Sequence, residues 1–251
     1  MKKVLPIFLV VLAGLALAGG AFWILRPSPE TSEEPGKAST KAKEEKKAKE
    51  LSLEEKPFVS LVPGSSCEYT LNVSGIKKAA SELEYEVVYK VDSGITQGVP
   101  GTVKLNGKTS VTRELLFGTE SSGNRRCDKG VRNGTITVKY RDDDGKLIAK
   151  VEGNFQVKES AKALKMDGFE LDLGKISTER YVVMDTVGLP GNPPGRVTAG
   201  PFGVFAVKSK VSAEVALSGD GDSYIWDGSK WVKLTDDKTT SLGAFIKVAS
   251  E

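Results

Sequence analysis

Residues 82–91, Glu-Leu-Glu-Tyr-Glu-Val-Val-Tyr-Lys-Val, decide the fold class because apolar and polar side chains alternate along them. The odd-numbered positions from Leu83 to Val91 are all apolar, whereas four of the five even-numbered positions are charged. Successive side chains of a strand point to opposite faces of a sheet, so a period of two indicates a half-buried strand. The stretch therefore predicts a strand with one face in a core and the other in water.

The same pattern recurs on both sides of this stretch, over residues 58–158. Apolar and polar residues alternate between Tyr69 and Val73. Further strands are predicted at 102–105, 110–117, 135–140 and 147–157. The last two flank Asp142-Asp143-Asp144-Gly145, which is typical of a hairpin turn. About seven short strands in roughly 100 residues predict an immunoglobulin-like or fibronectin-like β-sandwich.

The remaining residues, 159–251, contain a second series of strand-like stretches. These lie at 169–173, 181–187, 202–207, 211–217, 224–226, 231–234 and 242–248. A second small β-rich domain is therefore predicted, and the fold class of the whole body is all-β. The segment 188–203 is dense in Gly and Pro and too long for a simple connector, so it is either a functional loop or a loose one.

Residues 224–231, Tyr-Ile-Trp-Asp-Gly-Ser-Lys-Trp, predict a tight hairpin in which Trp226 and Trp231 face each other across the turn. The stretch resembles short hairpins of phage tail-fibre and surface-repeat proteins. Aromatic faces stack on sugar rings, so Tyr224, Trp226 and Trp231 are candidate ligand-contact residues. The alternative is a cross-strand aromatic pair that closes a small core, and the pattern favours this alternative.

The N-terminal residues 1–26 read as a signal anchor that forms a transmembrane helix. An apolar run from Val4 to Leu25 follows two lysines and would be about 33 Å long as a helix, enough to cross a hydrocarbon core of roughly 30 Å. Cleavage after Ala18 is the alternative, but the apolar run continues beyond that site. A lipoprotein is excluded because the segment contains no cysteine.

The flanking charges predict the orientation of this segment. Lys2, Lys3 and the amino terminus favour a cytoplasmic N-terminus, which places the body on the extracytoplasmic side of the cell membrane as a single-pass protein. Residues 27–57 are rich in Pro, Lys and Glu and carry little apolar surface, so they predict a disordered charged linker.

The cysteine and histidine counts restrict the chemistry. Cys67 and Cys127 are the two cysteines, too few for a structural zinc site, and they predict one disulfide closing a loop of 60 residues. The chain has no histidine, the commonest general base and metal ligand, so no enzyme, cofactor or metal is expected. A formal charge of +3, spread along the chain, gives no reason to expect nucleic acid as a partner.

Carboxylates cluster at 142–144 and at Asp220 and Asp222, where a calcium site is conceivable. Neither cluster has the spacing of a calcium-binding loop, and Asp-Gly is a common turn sequence, so turns are predicted at both.

Four stretches carry a resemblance to a family. They are residues 72–76, 83–86, 98–103 and 117–134. Together they resemble an uncharacterised family of membrane-anchored surface proteins from small-genome candidate-phylum bacteria. The resemblance covers about 100 residues and implies a surface sandwich of unknown role, without functional residues to carry over. The cysteine pair departs from what most members are expected to have.

These observations predict a membrane-anchored extracytoplasmic binding or structural protein of the adhesion type. Its expected partners are the membrane, through the single N-terminal span, and a glycan or an envelope protein. The alternative is an accessory subunit of a cell-envelope, secretion or appendage complex.

Overall fold

A computed structural model of the chain describes residues 50–77 and 79–250. The predicted anchor at 1–26 and residues 27–49 of the predicted linker at 27–57 lie outside the described residues, whereas residues 50–57 of that linker are described and include a 3₁₀ turn. Within the described ranges, no helix is long and apolar enough to cross a membrane.

The described chain is all-β and sandwich-like, and its one helical element is a 3₁₀ turn at Leu53–Glu55. The strands are β1 (Phe58–Pro63), β2 (Glu68–Ser74), β3 (Glu82–Lys90), β4 (Thr96–Lys104), β5 (Ser110–Leu116), β6 (Gly118–Ser121), β7 (Asn124–Cys127), β8 (Asn133–Arg141), β9 (Leu147–Lys158), β10 (Ala161–Met166), β11 (Phe169–Ser177), β12 (Tyr181–Asp185), β13 (Val197–Phe205), β14 (Lys210–Leu217), β15 (Asp222–Trp226), β16 (Trp231–Lys233), β17 (Lys238–Ser241) and β18 (Ala244–Val248).

One sheet is much larger than the other sheets. Its nine strands follow the order β16-β15-β18-β13-β12-β9-β8-β3-β4, with antiparallel pairing throughout. A three-stranded sheet, β1-β2-β5, and a four-stranded sheet, β10-β11-β14-β17, are separate from it, and β6 and β7 form a hairpin of their own. The strand predicted at residues 82–91 is β3 in the structure, and it lies between β8 and β4.

Two hydrophobic cores lie on opposite faces of the large sheet. The first core joins the β1-β2-β5 sheet to the β4-to-β12 part of the large sheet, and the second joins β10-β11-β14-β17 to the β12-to-β15 part. Strand β12 belongs to both cores: Val182 and Met184 lie in the first, whereas Tyr181 and Val183 lie in the second. Because alternate side chains of a strand point to opposite faces, β12 contributes side chains to both cores.

The boundary predicted at 158/159 falls in the short connection between β9 and β10. The large sheet continues across this point because β9 pairs with β12, and the described residues belong to one compact unit. Whether 58–158 and 159–251 fold independently stays a prediction.

The segment predicted as a loop at 188–203 is shorter in the structure. Strand β13 begins at Val197, so only its first half is a connector. The pairing of β13 with β18 shifts register twice, between Val197 and Ala199 and between Ala199 and Phe202. These bulges accommodate the Gly-Pro sequence within a strand, which a simple alternation pattern cannot reveal.

Candidate functional site

A cleft in the described part of the chain lies beside the disulfide. Its volume is about 550 Å³, within the range of small-molecule sites. The walls are the start of β2, the β3–β4 turn, the β7–β8 connection and the residues around the β9–β10 turn, with Arg180 next to β12. The cleft is thus formed by connections at one end of the first core, where sandwich proteins commonly carry binding loops.

The predicted disulfide is present and forms part of the cleft wall. Cys67 precedes β2, and Cys127 ends β7, and the sulfurs of these two residues are bonded. The hydroxyl of Ser66 lies 3.3 Å from Cys127 Sγ. The bond therefore fixes the base of the β6–β7 hairpin and the following β7–β8 connection against the β1-β2-β5 sheet.

Stacked aromatic rings lie beneath the cleft. The ring of Phe117 stacks on Tyr69 and on Tyr89, with centroid separations of 4.1 Å in both pairs. All three side chains are almost fully buried, so they support the cleft rather than offering a free aromatic face. Aromatic pairs of this kind contribute about 0.5–1.5 kcal/mol each beyond the burial of their surface.

The hydroxyls of the two tyrosines are the polar ends of this stack. Tyr89 Oη donates a hydrogen bond to Asp128 Oδ2 at 2.8 Å. Burial raises the pKa of Tyr69 to about 12, and its hydroxyl has Arg180 and Glu159 as charged neighbours. Tyr69 therefore stays protonated at neutral pH and can donate a hydrogen bond into the cleft.

Two ion pairs connect different walls of the cleft. Arg132 Nη2 donates to Asp92 Oδ1 at 2.9 Å, which joins the β7–β8 connection to the β3–β4 turn. Arg180 donates to Glu159 and also to the backbone oxygen of Ser66. Exposed ion pairs contribute little stability, so these contacts define the shape of the cleft more than they stabilise the fold.

The groups around the cleft are suited to binding by charge and hydrogen bonds.

No group of three or more metal-ligating side chains occurs among residues 50–77 and 79–250. The Asp142–Gly145 segment is a turn in which Asp142 Oδ1 accepts the N–H groups of Asp144 and Lys146. Asp222, from the other carboxylate cluster, forms an ion pair of 2.7 Å with Lys233.

The predicted tryptophan hairpin is present in β15 and β16. Trp226 and Trp231 are cross-strand partners, and their rings meet edge to face with centroids 5.4 Å apart. Tyr224 pairs with Lys233 on the same two strands and is half-buried. The two tryptophans are also half-buried, at the far end of the large sheet from β4.

The connector after β12 packs on these tryptophans. Trp231 Nε1 donates to the backbone oxygen of Gly191 at 3.1 Å. A Cβ atom at Gly191 would lie 2.5 Å from Cη2 of Trp226, so the backbone rests directly on that ring. These contacts favour the structural role of the aromatic pair, while ligand contact by Tyr224, Trp226 and Trp231 stays a prediction.

Sequence reasoning identified the disulfide but not the cleft beside it. The cleft residues Asp92, Lys129, Arg132, Lys158 and Arg180 come from four separate stretches of the sequence that lie in or next to turns. No periodicity or spacing connects them, because only the register of β3, β8, β9 and β12 brings these turns to one end of the sheet.

No protein-family model, curated protein or solved structure matches this chain.

Proposed function

We propose that this chain is a membrane-anchored extracytoplasmic binding protein of the adhesion type, held at the membrane by residues 1–26 and binding its ligand in the cleft beside the disulfide. The observation that carries the proposal is the Cys67–Cys127 bond, which forms part of the wall of a cleft of about 550 Å³. Stable disulfides belong to oxidising compartments, which supports a location outside the cytoplasm. The proposal assigns no catalytic reaction to the chain, in keeping with its lack of histidine.

We further propose that the first core is an immunoglobulin-like or fibronectin-like sandwich. The β1-β2-β5 sheet faces the strands β12-β9-β8-β3-β4, so three strands pack on five, which is one strand more than the seven-stranded sandwich of three on four. The Cys67–Cys127 bond differs from the inter-sheet disulfide of immunoglobulin domains, because it joins the start of β2 to the separate β6–β7 hairpin. A departure is the lack of a tryptophan in residues 58–158, where Phe117 occupies the centre of the core instead.

The family resemblance and the N-terminal sequence support the membrane-anchored part of the proposal. The apolar run from Val4 to Leu25 is long enough to span a bilayer, and Lys2 and Lys3 favour an N-terminus on the cytoplasmic side.

Protease treatment of intact cells tests the topology. Externally added protease is expected to remove residues 58–251 and leave a short N-terminal fragment in the membrane fraction. A periplasmic or cytoplasmic marker protein serves as the control for cell integrity. A body that survives treatment of intact cells but is degraded after lysis would contradict an exposed location. Recovery of the intact body in the soluble fraction would instead indicate cleavage after Ala18.

The alternative function, an accessory subunit of an envelope complex, is distinguished by its partner. Mild crosslinking followed by purification from the membrane is expected to give no stoichiometric protein partner if the chain binds its ligand alone. A single membrane protein recovered in equal amount would favour the accessory subunit.

A further inference from the structure

A second cleft lies on the face of the large sheet that points away from the first core. Four polar residues of β8 and β9 line it: Asn133, Thr135, Asn154 and Gln156. They alternate along these strands with Ile136, Phe155 and Val157 of the first core, so their side chains point to the opposite face. Met166, the last residue of β10, also lines the cleft. The volume is about 370 Å³, within the range of small-molecule sites.

The lining of this second cleft is almost free of charge. Among the described residues that line it, Lys90 alone has a charged side chain, and it is exposed. Val88 and Met166 contribute half-buried apolar surface. The cleft beside the disulfide, by contrast, is lined by several carboxylates, lysines and arginines. A ligand of the second cleft would therefore be held by neutral hydrogen bonds and small apolar contacts.

Two of the polar side chains are already fixed, whereas the other two are not. Thr135 Oγ1 donates to Asn154 Oδ1 at 3.3 Å, and Asp185 accepts hydrogen bonds from Asn154. No side-chain hydrogen bond is found for Asn133 or Gln156 within the described ranges. These two amides are thus available to a ligand, next to a pair that the structure holds in place.

Asn133 and Gln156 lie side by side on neighbouring strands. Val157 N donates to Arg132 O at 2.7 Å, so the next pair along the ladder, Asn133–Gln156, is non-hydrogen-bonded. Side chains of such pairs are close, with Cβ atoms about 4.5–5.5 Å apart. Each amide offers two N–H donors and a carbonyl acceptor. The sheet therefore presents two adjacent amides from backbone that is ordered before a ligand arrives, which lowers the ordering cost of binding.

We propose that the second cleft binds a neutral sugar of a glycan, with Asn133 and Gln156 as its main hydrogen-bonding partners. The inference goes beyond the proposed function, because it adds a site on the other face of the large sheet. Sugar hydroxyls donate and accept hydrogen bonds as the amides do, and the C–H groups of a sugar ring can pack on Val88 and Met166. An extended peptide is less suited, because β3, β8 and β9 have strands on both sides and offer it no free edge.

Nuclear magnetic resonance of the isotope-labelled full chain tests the site, in a detergent without a sugar headgroup. The probes are cellohexaose, maltohexaose and the hexamer of N-acetylglucosamine. At least one of them is expected to shift the side-chain amide signals of Asn133 and Gln156. Its Kd should be the same at low and high salt, because the ligand is neutral. The amide signals of Gln97 and Asn124, which lie outside the cleft, should not move.

The double variant Asn133→Leu/Gln156→Met tests the two amides directly. It keeps side chains of similar size and removes their hydrogen bonds, so it should bind the same oligosaccharide about tenfold more weakly. Asn124→Leu/Gln97→Met makes the same changes at exposed strand positions outside the cleft, and should bind like the unaltered chain.

Three results would overturn the inference. The first is that no probe shifts the signals of Asn133 and Gln156 in the unaltered chain, a measurement that does not depend on the folding of any variant. The second is binding that weakens steeply as salt is raised, which would assign it to the charge of Lys90. The third is an equal loss of binding in the two double variants. The proposed location of the chain depends on the separate protease experiment and would stand in each case.

Discussion

Asp185, the last residue of β12, is a partly buried carboxylate next to β9. Its Oδ2 accepts the backbone N–H of Asn154 at 3.3 Å. Burial raises the pKa of Asp185, and the hydrogen bonds from Asn154 offset only part of this effect. The ionised form is therefore less favourable in the folded chain than in the unfolded chain.

The free energy of unfolding should therefore fall as pH rises through the pKa of Asp185. Below its ordinary value near 3.8 the carboxyl is protonated in both states and costs nothing, whereas above the raised pKa the folded chain retains the unfavourable charge. Asp185→Asn should remove this loss and be more stable than the unaltered chain at neutral pH. Urea unfolding between about pH 3 and pH 7 measures the effect. Asp143→Asn, an exposed turn change, is the control, and equal pH profiles for the two variants would contradict the expectation.

Gly191 tests how closely the connector after β12 packs on the tryptophan pair. Gly191→Ala would place a Cβ atom 2.5 Å from the Trp226 ring, so the backbone or the ring must move, at a cost of about 1–3 kcal/mol. Tryptophan fluorescence should report both the altered ring environment and the lower unfolding midpoint.

Gly98→Ala is the matched control, because its new Cβ would have no neighbour nearer than 3.9 Å and the backbone needs no left-handed conformation. Its stability should be unchanged or slightly higher. Equal stability of the two variants would mean that the connector does not rest on the ring in solution.

At the scale of elements, β4 is the open edge of the large sheet on the side of the first core. Leu105 N donates to Ser81 O, and Val91 N donates to Ile95 O, which marks the Lys104–Glu82 and Thr96–Lys90 pairs as non-hydrogen-bonded pairs. Hydrogen-bonded and non-hydrogen-bonded pairs alternate along the ladder, so the Glu86–Pro100 pair is also non-hydrogen-bonded. The backbone nitrogen of Pro100 therefore faces away from β3. Its missing N–H therefore leaves the ladder intact and interrupts the row of donors on the open edge.

Pro100→Thr should allow this edge strand to pair with another copy of the chain. The substitution restores an outward N–H and adds a residue that favours strands, so the chain should self-associate at concentrations at which the unaltered chain stays monodisperse. Sedimentation velocity measures the change. Thr102→Val, which keeps Pro100 and alters only an exposed side chain of the same strand, is the control. Self-association of the control alone would assign the effect to apolar surface rather than to the backbone edge.

Most of the strands that the sequence predicted have one solvent-exposed face, although β12 and β18, whose residues are nearly all buried, were predicted too. Strand β9 alternates between buried and more exposed residues along its whole length, so its period of two is visible in the sequence. Strand β1 was not predicted, because Val59, Ser60 and Leu61 are all buried and no alternation results. Hairpin β6–β7 and strand β17 were missed because their residues are mostly polar and exposed.

At the scale of the whole molecule, the disulfide closes a loop of 60 residues that contains most of the first core. On the loop-entropy model its removal should cost about 4 kcal/mol. The Cys67→Ser/Cys127→Ser variant should therefore unfold at lower urea concentration than the oxidised chain and at the same concentration as the reduced chain. Oxidised chain should also migrate faster than reduced chain on gels. Two titratable thiols in the purified chain would contradict the bond.

The position of the cleft could not be predicted for a reason that concerns the whole molecule. Strand periodicity reports which face of a strand is buried, but it does not report the neighbours of that strand. Arg180 and Lys158 share a wall because β12 pairs with β9, and Asp92 approaches Lys129 because β3 pairs with β8. These pairings are long-range choices of strand order, so local sequence predicts the strands but not the site between their ends.

The shared strand β12 leads to a prediction about cooperativity. Because Val182 and Met184 complete the first core while Tyr181 and Val183 complete the second, loss of either core removes support from the other. Leu71 and Leu171 are matched probes, since each is at most 1% exposed and each lies in a different core. Leu71→Ala and Leu171→Ala should each lower the free energy of unfolding by about 2–5 kcal/mol.

Both variants should shift one common transition rather than separate ones. The described tryptophans, Trp226 and Trp231, lie in the β15–β16 hairpin beside the second core, whereas far-UV circular dichroism reports strands of both cores. If β12 couples the cores, Leu71→Ala lowers the urea midpoint seen by tryptophan fluorescence as much as the midpoint seen by circular dichroism. A fluorescence midpoint that stays unchanged in Leu71→Ala, beside a circular dichroism curve with two steps, would instead indicate that 58–158 and 159–251 unfold as independent domains.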